Sequence, residues 1–207
     1  DMIWSDSLRL FVTMWKLFVV MLGAFLVISL LISLFTSIHQ KASIVQVLKK
    51  NLSSLFIALT TASSAAAFGN NIKVAQKGYG IRKELTNFSI PLGMVVHNPI
   101  AACYNMVVII YFASVYHVSC SLGWIVIGIF VSTVVAISSP PIPGGAIVYA
   151  LLFSQMGIPE DGLAVVMVID VLTDFFVTAF ECYVLPISLT NIAGRLDMLD
   201  RNVLRSK

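Results

Sequence analysis

The chain has 207 residues, of which 58% are hydrophobic and 11% charged, with a net charge of +3. A soluble domain is about 45–50% apolar and about 25% charged, so this chain lacks the polar residues that would cover a soluble surface. The balance excludes an ordinary soluble enzyme, a disordered chain and a nucleic-acid binder, and it predicts an all-α polytopic membrane protein.

The charges are placed to match. All 13 Lys and Arg lie outside residues 84–194. A basic side chain at the bilayer centre costs roughly 2.5–3.5 kcal/mol or more, so this stretch reads as membrane-embedded. Its acids are Glu84, Glu160, Asp161, Asp170, Asp174 and Glu181. Cys103, Cys120 and Cys182 are odd in number and lack metal-like spacing, so they imply no disulfide framework. The chain opens on Asp1 with no basic leader, and it reads as cut from something longer, without a signal peptide.

In chain order, residues 10–38 supply the first span, which needs about 20 apolar residues. A basic amphipathic connector, Lys41 to Lys50, completes a first region over residues 1–50. Residues 52–72 begin apolar and turn small and polar. A second basic connector carries Lys73, Lys77, Arg82 and Lys83. Residues 86–115 form a long span broken by His97-Asn98-Pro99. Residues 122–157 are apolar but interrupted by a Pro/Gly segment from Ser138 to Gly145. After the turn Pro159-Glu160-Asp161-Gly162, residues 163–193 make the last span. Residues 51–194 therefore read as one membrane domain and 195–207 as a basic cytoplasmic tail.

Basic loops face the cytoplasm, which places both connectors and the tail on that side. Residues 52–72 then enter and leave by the same face, and Ser63 to Gly69 suits the tip of a re-entrant helical hairpin. By the same parity, 122–157 is a second hairpin from the opposite face, with its tip at Pro140 to Gly145. Two hairpins alternate with full spans, as inverted repeats over 52–115 and 122–193. Irregular backbone at membrane depth survives only inside protein or along a cavity, and paired broken segments mark secondary transporters.

At this point particular motifs become recognisable: Ala58 to Gly69 (ALTTASSAAAFG), Phe88 to Gly93 (FSIPLG), Pro140 to Ile147, and Asp170 with Asp174 in IDVLTD. In this order and spacing the chain resembles the C-terminal half of the dicarboxylate/amino acid:cation symporter family, the glutamate-transporter fold. The resemblance implies a moving transport domain that carries an amino acid or carboxylate with a coupling cation, H+ or Na+, and no other cofactor. It implies upstream scaffold helices, a homotrimer and a multi-pass place in a cell membrane, the bacterial inner membrane. Departures accompany it. Where the family has Asn-Met-Asp-Gly-Thr in its broken seventh helix, this chain has His97-Asn98-Pro99-Ile100-Ala101. The family's substrate Arg in the eighth helix is Val177 here, its following Asn is Glu181, and its late sodium-binding Asp is Leu185.

Asp170, Asp174 and Glu181 fall within about 40° of one another on a helix, with Thr178 at the border. Intramembrane acids default to function, and proton uptake is open to a buried acid beside like charges. Acids merely capped by hydroxyls or water are the alternative. By resemblance Asp174 holds the substrate's amino group, Asp170 is more structural, and Glu181 is this chain's own substitution. Ser63 and Ser64 lie where exposed N–H groups and a half-helix N-terminus can hold a carboxylate, or they simply allow close packing. Pro143 and Gly144 belong to a mobile extracellular gate or to an ordinary turn. His97 and Asn98 sit beside freed carbonyls that suit a cation, or form a locally satisfied kink. The substrate-binding candidates are thus Ser63, Ser64, Pro143, Gly144, Asp174, Val177 and Thr178. The ion- or proton-coupling candidates are His97, Asn98, Asp170 and Glu181, with the metal left open. A receptor or degenerate paralogue on the same fold is the alternative function, and an intramembrane enzyme a third.

Overall fold

The computed structural model describes residues 2–138 and 146–206, with backbone alone for residues 2–14. The expected second hairpin tip, Pro143 and Gly144 included, lies outside the described residues. The named elements are all helical: α1 (Met2–Gln40), α2 (Ile44–Lys50), α3 (Leu52–Thr61), α4 (Ser64–Lys73), α5 (Lys83–Val96), α6 (Pro99–Val115), α7 (Leu122–Ser138), α8 (Ala146–Met156), α9 (Leu163–Arg195) and α10 (Arg201–Arg205). Three stretches, Trp15–Gln40, Lys83–Val115 and Glu160–Arg195, are long and apolar enough to cross a membrane, and α7 and α8 are shorter apolar helices. This is the all-helical membrane class that the composition predicts.

The chain forms two compact units. One comprises Asp1–Phe25 with Ala101–Asp174, the other Leu26–Ile100 with Phe175–Lys207. In the second unit α1 is the reverse of a soluble helix. Ser29, Ser33, Thr36 and Gln40, at i, i+4, i+7 and i+11, are buried, while Leu30, Leu34 and Ile38 on other faces are exposed. Hydrocarbon offers no hydrogen bonds, so polar side chains turn inward and apolar ones outward. The inward stripe is used: Ser33 Oγ donates to Ser29 O at 2.7 Å, and Asn191 Nδ2 donates to Thr36 Oγ1 at 2.6 Å.

Pro186 lies inside α9 and has no N–H for the carbonyl four residues back, that of Cys182. Asn51, fully buried just before α3, supplies the donor. Its Nδ2 donates to Cys182 O at 3.1 Å and to Tyr183 O at 2.7 Å. One side chain thus repairs α9 and anchors the start of α3 to it.

Helices α3 and α4 have ten residues each. At 1.5 Å per residue each is about 15 Å long, half the thickness of a bilayer core. They turn through Ala62, left-handed at φ 48°, and Ser63, whose extended backbone lets its Oγ accept from Ala66 N at 3.3 Å. Across the pair, Asn70 Nδ2 donates to Ser53 Oγ at 2.9 Å and Ser54 Oγ at 2.8 Å. Ala58, Ala67, Ala179 and Cys182 make a small-residue cluster that lets α3, α4 and α9 approach closely. Beyond α4, a π-helical turn (Val74–Gly78) leads to buried Tyr79, whose hydroxyl donates to Val47 O at 2.7 Å.

In the first unit α7 and α8 pack together, and Trp124 Nε1 at the start of α7 donates to Met156 O at the end of α8 at 3.0 Å. The two helices therefore form an antiparallel pair. Gly157, at φ +66°, closes α8 while Ile158 N donates back to Phe153 O at 2.9 Å. Phe112 and Phe153 meet with ring centroids 5.2 Å apart.

Two outcomes follow from these contacts. Asn51→Ala should cost about 1–3 kcal/mol by orphaning two buried carbonyls, and Pro186→Ala in the same chain should recover part of it by restoring the missing N–H. Thermal unfolding in detergent of the two single variants and the double reads this as a cycle. Burial raises the Tyr79 phenol well above its usual value of 10. Its stabilisation is therefore complete below pH 10 and is lost as pH rises beyond that through the raised value. Tyr79→Phe should remove that alkaline loss while lowering stability at neutral pH.

Candidate functional site

The site is built on an interruption in a helix. Pro99 disfavours helical backbone at Asn98, so α5 stops at Val96 and α6 starts at Pro99, where a missing N–H costs nothing. His97 takes φ −96° and ψ 82° as α5 closes, with its N–H donating to Gly93 O at 2.8 Å. Asn98 Nδ2 donates to Val95 O at 3.0 Å. The start of α6 is capped from a distant part of the chain: Ile100 N donates to Glu181 Oε1, on α9, at 2.8 Å. A carboxylate at this position meets the positive end of the α6 dipole, about half an elementary charge, through a charge-assisted hydrogen bond.

Beside this contact is a small cavity with about 20 Å³ of room for water-sized spheres. That is about the space of one water. Gly93, Met94, His97 and Asn98 line one side, Glu181, Cys182 and Leu185 of α9 another, and Ser64 at the start of α4 closes it. His97 Nδ1 is buried with no hydrogen-bond partner among the described residues. Gly93 lets α5 and α9 approach closely: a Cβ there would stand 2.4 Å from Leu185 Cδ1, whose side chain would have to move. A carboxylate, an imidazole, an amide and a hydroxyl around one water-sized space can hold a proton or a small cation in oxygen-rich coordination.

Four of the residues singled out in the sequence, Ser64, His97, Asn98 and Glu181, thus come together. Ser63 is occupied in capping α4. Val177 and Thr178 lie half-buried on α9 in the same unit but do not line this cavity. Asp170 and Asp174 belong to the other unit. There Asp170 accepts a hydrogen bond from the Tyr149 hydroxyl of α8, and Thr173 Oγ1 donates to the Asp170 carbonyl at 3.1 Å. Tyr149 is buried and meets the ring of Tyr104 edge-on at 6.3 Å. Pro143 and Gly144 are outside the described residues. Sequence reasoning missed Asn51, Met94 and Tyr149. A Pro inside α9 is the signal that could have prompted a search for an outside donor such as Asn51. A larger open groove, about 460 Å³, runs along Leu31, Phe35, Asn191 and Arg195. It holds none of the candidates and is lined largely by apolar side chains, whereas the smaller cavity brings four of them together.

Residues 1–184 match the sodium:dicarboxylate symporter family, and the chain belongs to that family. It is a family of transporters. The chain is 27% identical over 157 residues to excitatory amino acid transporter 1 of Rattus norvegicus, covering 75% of this chain and 28% of the relative. It is 25% identical over 118 residues to neutral amino acid transporter A of Homo sapiens, covering 56% of this chain and 22% of the relative. The chain thus spans roughly a quarter of the length of these relatives.

The contact at Gly93 is open to test. Gly93→Ala should destabilise the protein by about 1–3 kcal/mol through overpacking against Leu185, and Leu185→Ala in the same chain should relieve most of it. Thermal unfolding of the single and double variants checks the coupling.

Proposed function

We propose that this chain is the transport-domain part of a secondary active transporter that moves a small amino acid or carboxylate coupled to a cation. The observation that carries the reading is the Glu181 carboxylate on the Ile100 N–H at a helix break, beside a water-sized polar cavity. A charge held by protein groups at the interruption of an apolar span is costly, and such acids default to function. The half-length helices α3 and α4 support a re-entrant first hairpin, and the antiparallel α7 and α8 support a second. The charge pattern of the connectors favours reading them as inverted repeats, which suits alternating access. By family resemblance the domain works against upstream scaffold helices in a homotrimer, within a multi-pass membrane protein of the bacterial inner membrane.

The family's relatives include transporters of both excitatory and neutral amino acids, so this chain's own residues must choose. Val177 stands where the family resemblance expects an Arg. A second substrate carboxylate would meet Glu181 without a cation nearby in sequence, at a cost of several kcal/mol. We therefore assign a neutral or cationic amino acid, with Ser64 near its carboxylate. Pro99 and Leu185 stand where the resemblance expects sodium-binding carboxylates, and a hard cation wants a compensating anion. Glu181 is then the proton-coupling group, with His97 and Asn98 beside it and Asp170 held by Tyr149. The same two losses favour a second reading, a receptor or degenerate paralogue that binds without transporting.

Uptake of labelled amino acids into liposomes, with sodium and proton gradients imposed separately, tests both. Saturable uptake that follows pH, responds weakly to sodium and takes glutamate poorly is expected. Glu181→Gln keeps the accepting oxygen for Ile100 N and mimics the protonated acid, so it should flatten the pH response with the fold intact. Strict sodium dependence with an unchanged pH profile in Glu181→Gln would make Glu181 structural. Saturable binding without gradient-driven uptake would favour the receptor.

A further inference from the structure

The open end of the first hairpin carries a second feature that the transport reading does not use. Lys50 is the last residue of α2, immediately before Asn51 and α3. Its ammonium donates to three carbonyls, Gly78 O, Val203 O and Leu204 O, each at 2.8 Å. Gly78 ends the turn that follows α4, so one cation joins the two ends of the α3–α4 hairpin. Val203 and Leu204 belong to α10, in the segment beyond the last span. Lys50 therefore ties three chain segments at one point, and burial lowers its pKa from the usual 10.5. The three carbonyls compensate that burial by replacing water around the charge.

The tail reaches this point by a defined route. Arg82 N donates to Met198 O at 3.0 Å, Asp200 N donates to Gly80 O at 2.8 Å, and Ile81 bridges Leu199. Asp200 Oδ1 accepts from Asn202 N at 2.9 Å and starts α10. Gly80 has φ +79°, and a Cβ there would lie 2.5 Å from Asp200 O, so the crossing of the two strands of chain needs glycine. Gln46 Nε2 adds a bond to Arg205 O at 3.0 Å. At the other end of the same hairpin, Ser64 closes the cavity of His97 and Glu181.

We propose that Lys50 and the C-terminal segment 198–205 form a clasp on the base of the first hairpin, and that Lys50 is a positioning residue for Ser64 at the candidate site. The clasp holds the two arms at one spacing from below, and Asn70 with Ser53 and Ser54 joins them about one turn further in. Loss of the clasp lets the arms splay and takes Ser64 out of register with the cavity. The effect on transport rests on the reading of that cavity as the transport site, whereas the clasp itself does not.

Hydrogen exchange on the full-length protein in nanodiscs, without substrate, tests the clasp, and saturable uptake tests its consequence. Lys50→Met removes the ammonium and should speed exchange by about tenfold or more in 198–205, 74–81 and the hairpin 52–73, as expected for loss of charge-assisted bonds. KM should rise while the maximal rate is largely kept. Lys50→Arg keeps donors in a flatter geometry and should recover part of both. Asp200→Ala loosens α10 without touching Lys50 and should speed exchange in the hairpin as well, which keeps the test open if Lys50→Met fails to fold. Release of the tail with unchanged exchange in 52–73 would overturn the clasp. Faster hairpin exchange with unchanged KM would overturn the positioning role. Wild-type protein with no saturable uptake would refute the transport reading, while the exchange comparison still decides the clasp.

Discussion

Hydrocarbon supplies no hydrogen bonds, so every interruption of a helix in this chain has to find its missing partner inside the protein. Three such interruptions lie in one unit, and each is repaired by a polar side chain from elsewhere or from the turn itself. Pro186 leaves the Cys182 carbonyl without an N–H, and Asn51 donates instead. The break at His97 and Asn98 leaves the start of α6 open, and Glu181 accepts from Ile100 N. The turn at Ala62 opens α4, and Ser63 caps it. Two of these repairs converge on a single turn of α9, at residues 181–183. The arrangement makes that part of α9 a hub to which α3 and α6 are both anchored. A site there inherits its geometry from backbone satisfaction, which rigid elements fix better than loops do.

The membrane class and all-helical character were legible in the sequence because they rest on composition and on the placement of Lys and Arg. Neither depends on tertiary detail. Within the site, His97 and Asn98 were legible because Pro99 punctuates the span, and Glu181 because an acid in an apolar helix stands out. Their meeting with Ser64 was not, since helical spacing relates residues of one element and says nothing about which break a carboxylate on another will cap. The same limit hid Asn51 and Tyr149. Asn before a helix reads as an ordinary N-cap, yet its side chain is spent on α9 and makes no cap bond. Tyr in an apolar run reads as core, yet its hydroxyl meets Asp170.

One face of α9 carries three acids by helical arithmetic, but the environments found for them differ. Asp170 has the Tyr149 phenol on its carboxyl group and Thr173 on its carbonyl in its own unit, while Glu181 has a backbone N–H at a helix terminus in the other. Both devices offset the cost of a carboxyl group in an apolar helix, the first with an aromatic hydroxyl and the second with a dipole. An acid held in these ways is not an accident of composition, because each donor is itself buried and placed by other contacts. Tyr149 packs edge-on against Tyr104, and Ile100 is fully buried.

Family membership settles the fold of such a chain more firmly than its chemistry. The positions where the resemblance expects carboxylates are Pro99 and Leu185, and a carboxylate appears instead at Glu181, one turn before Leu185 on the same helix. Along α9 that shift is about 6 Å, and it brings the charge to the α6 terminus. The cavity that remains is bounded by the Leu185 side chain against Gly93. On the α9 side of the cavity, Leu185 is apolar and Glu181, one turn earlier, brings the carboxyl group. On the proposed reading, a site organised in this way keeps the helix break and takes a proton at Glu181 in place of a metal cation. The physical argument for a proton rather than sodium therefore comes from this chain's own substitutions and runs against the family name. It stands or falls on how Glu181 behaves in the folded protein, where its charge is shared with the first turn of α6.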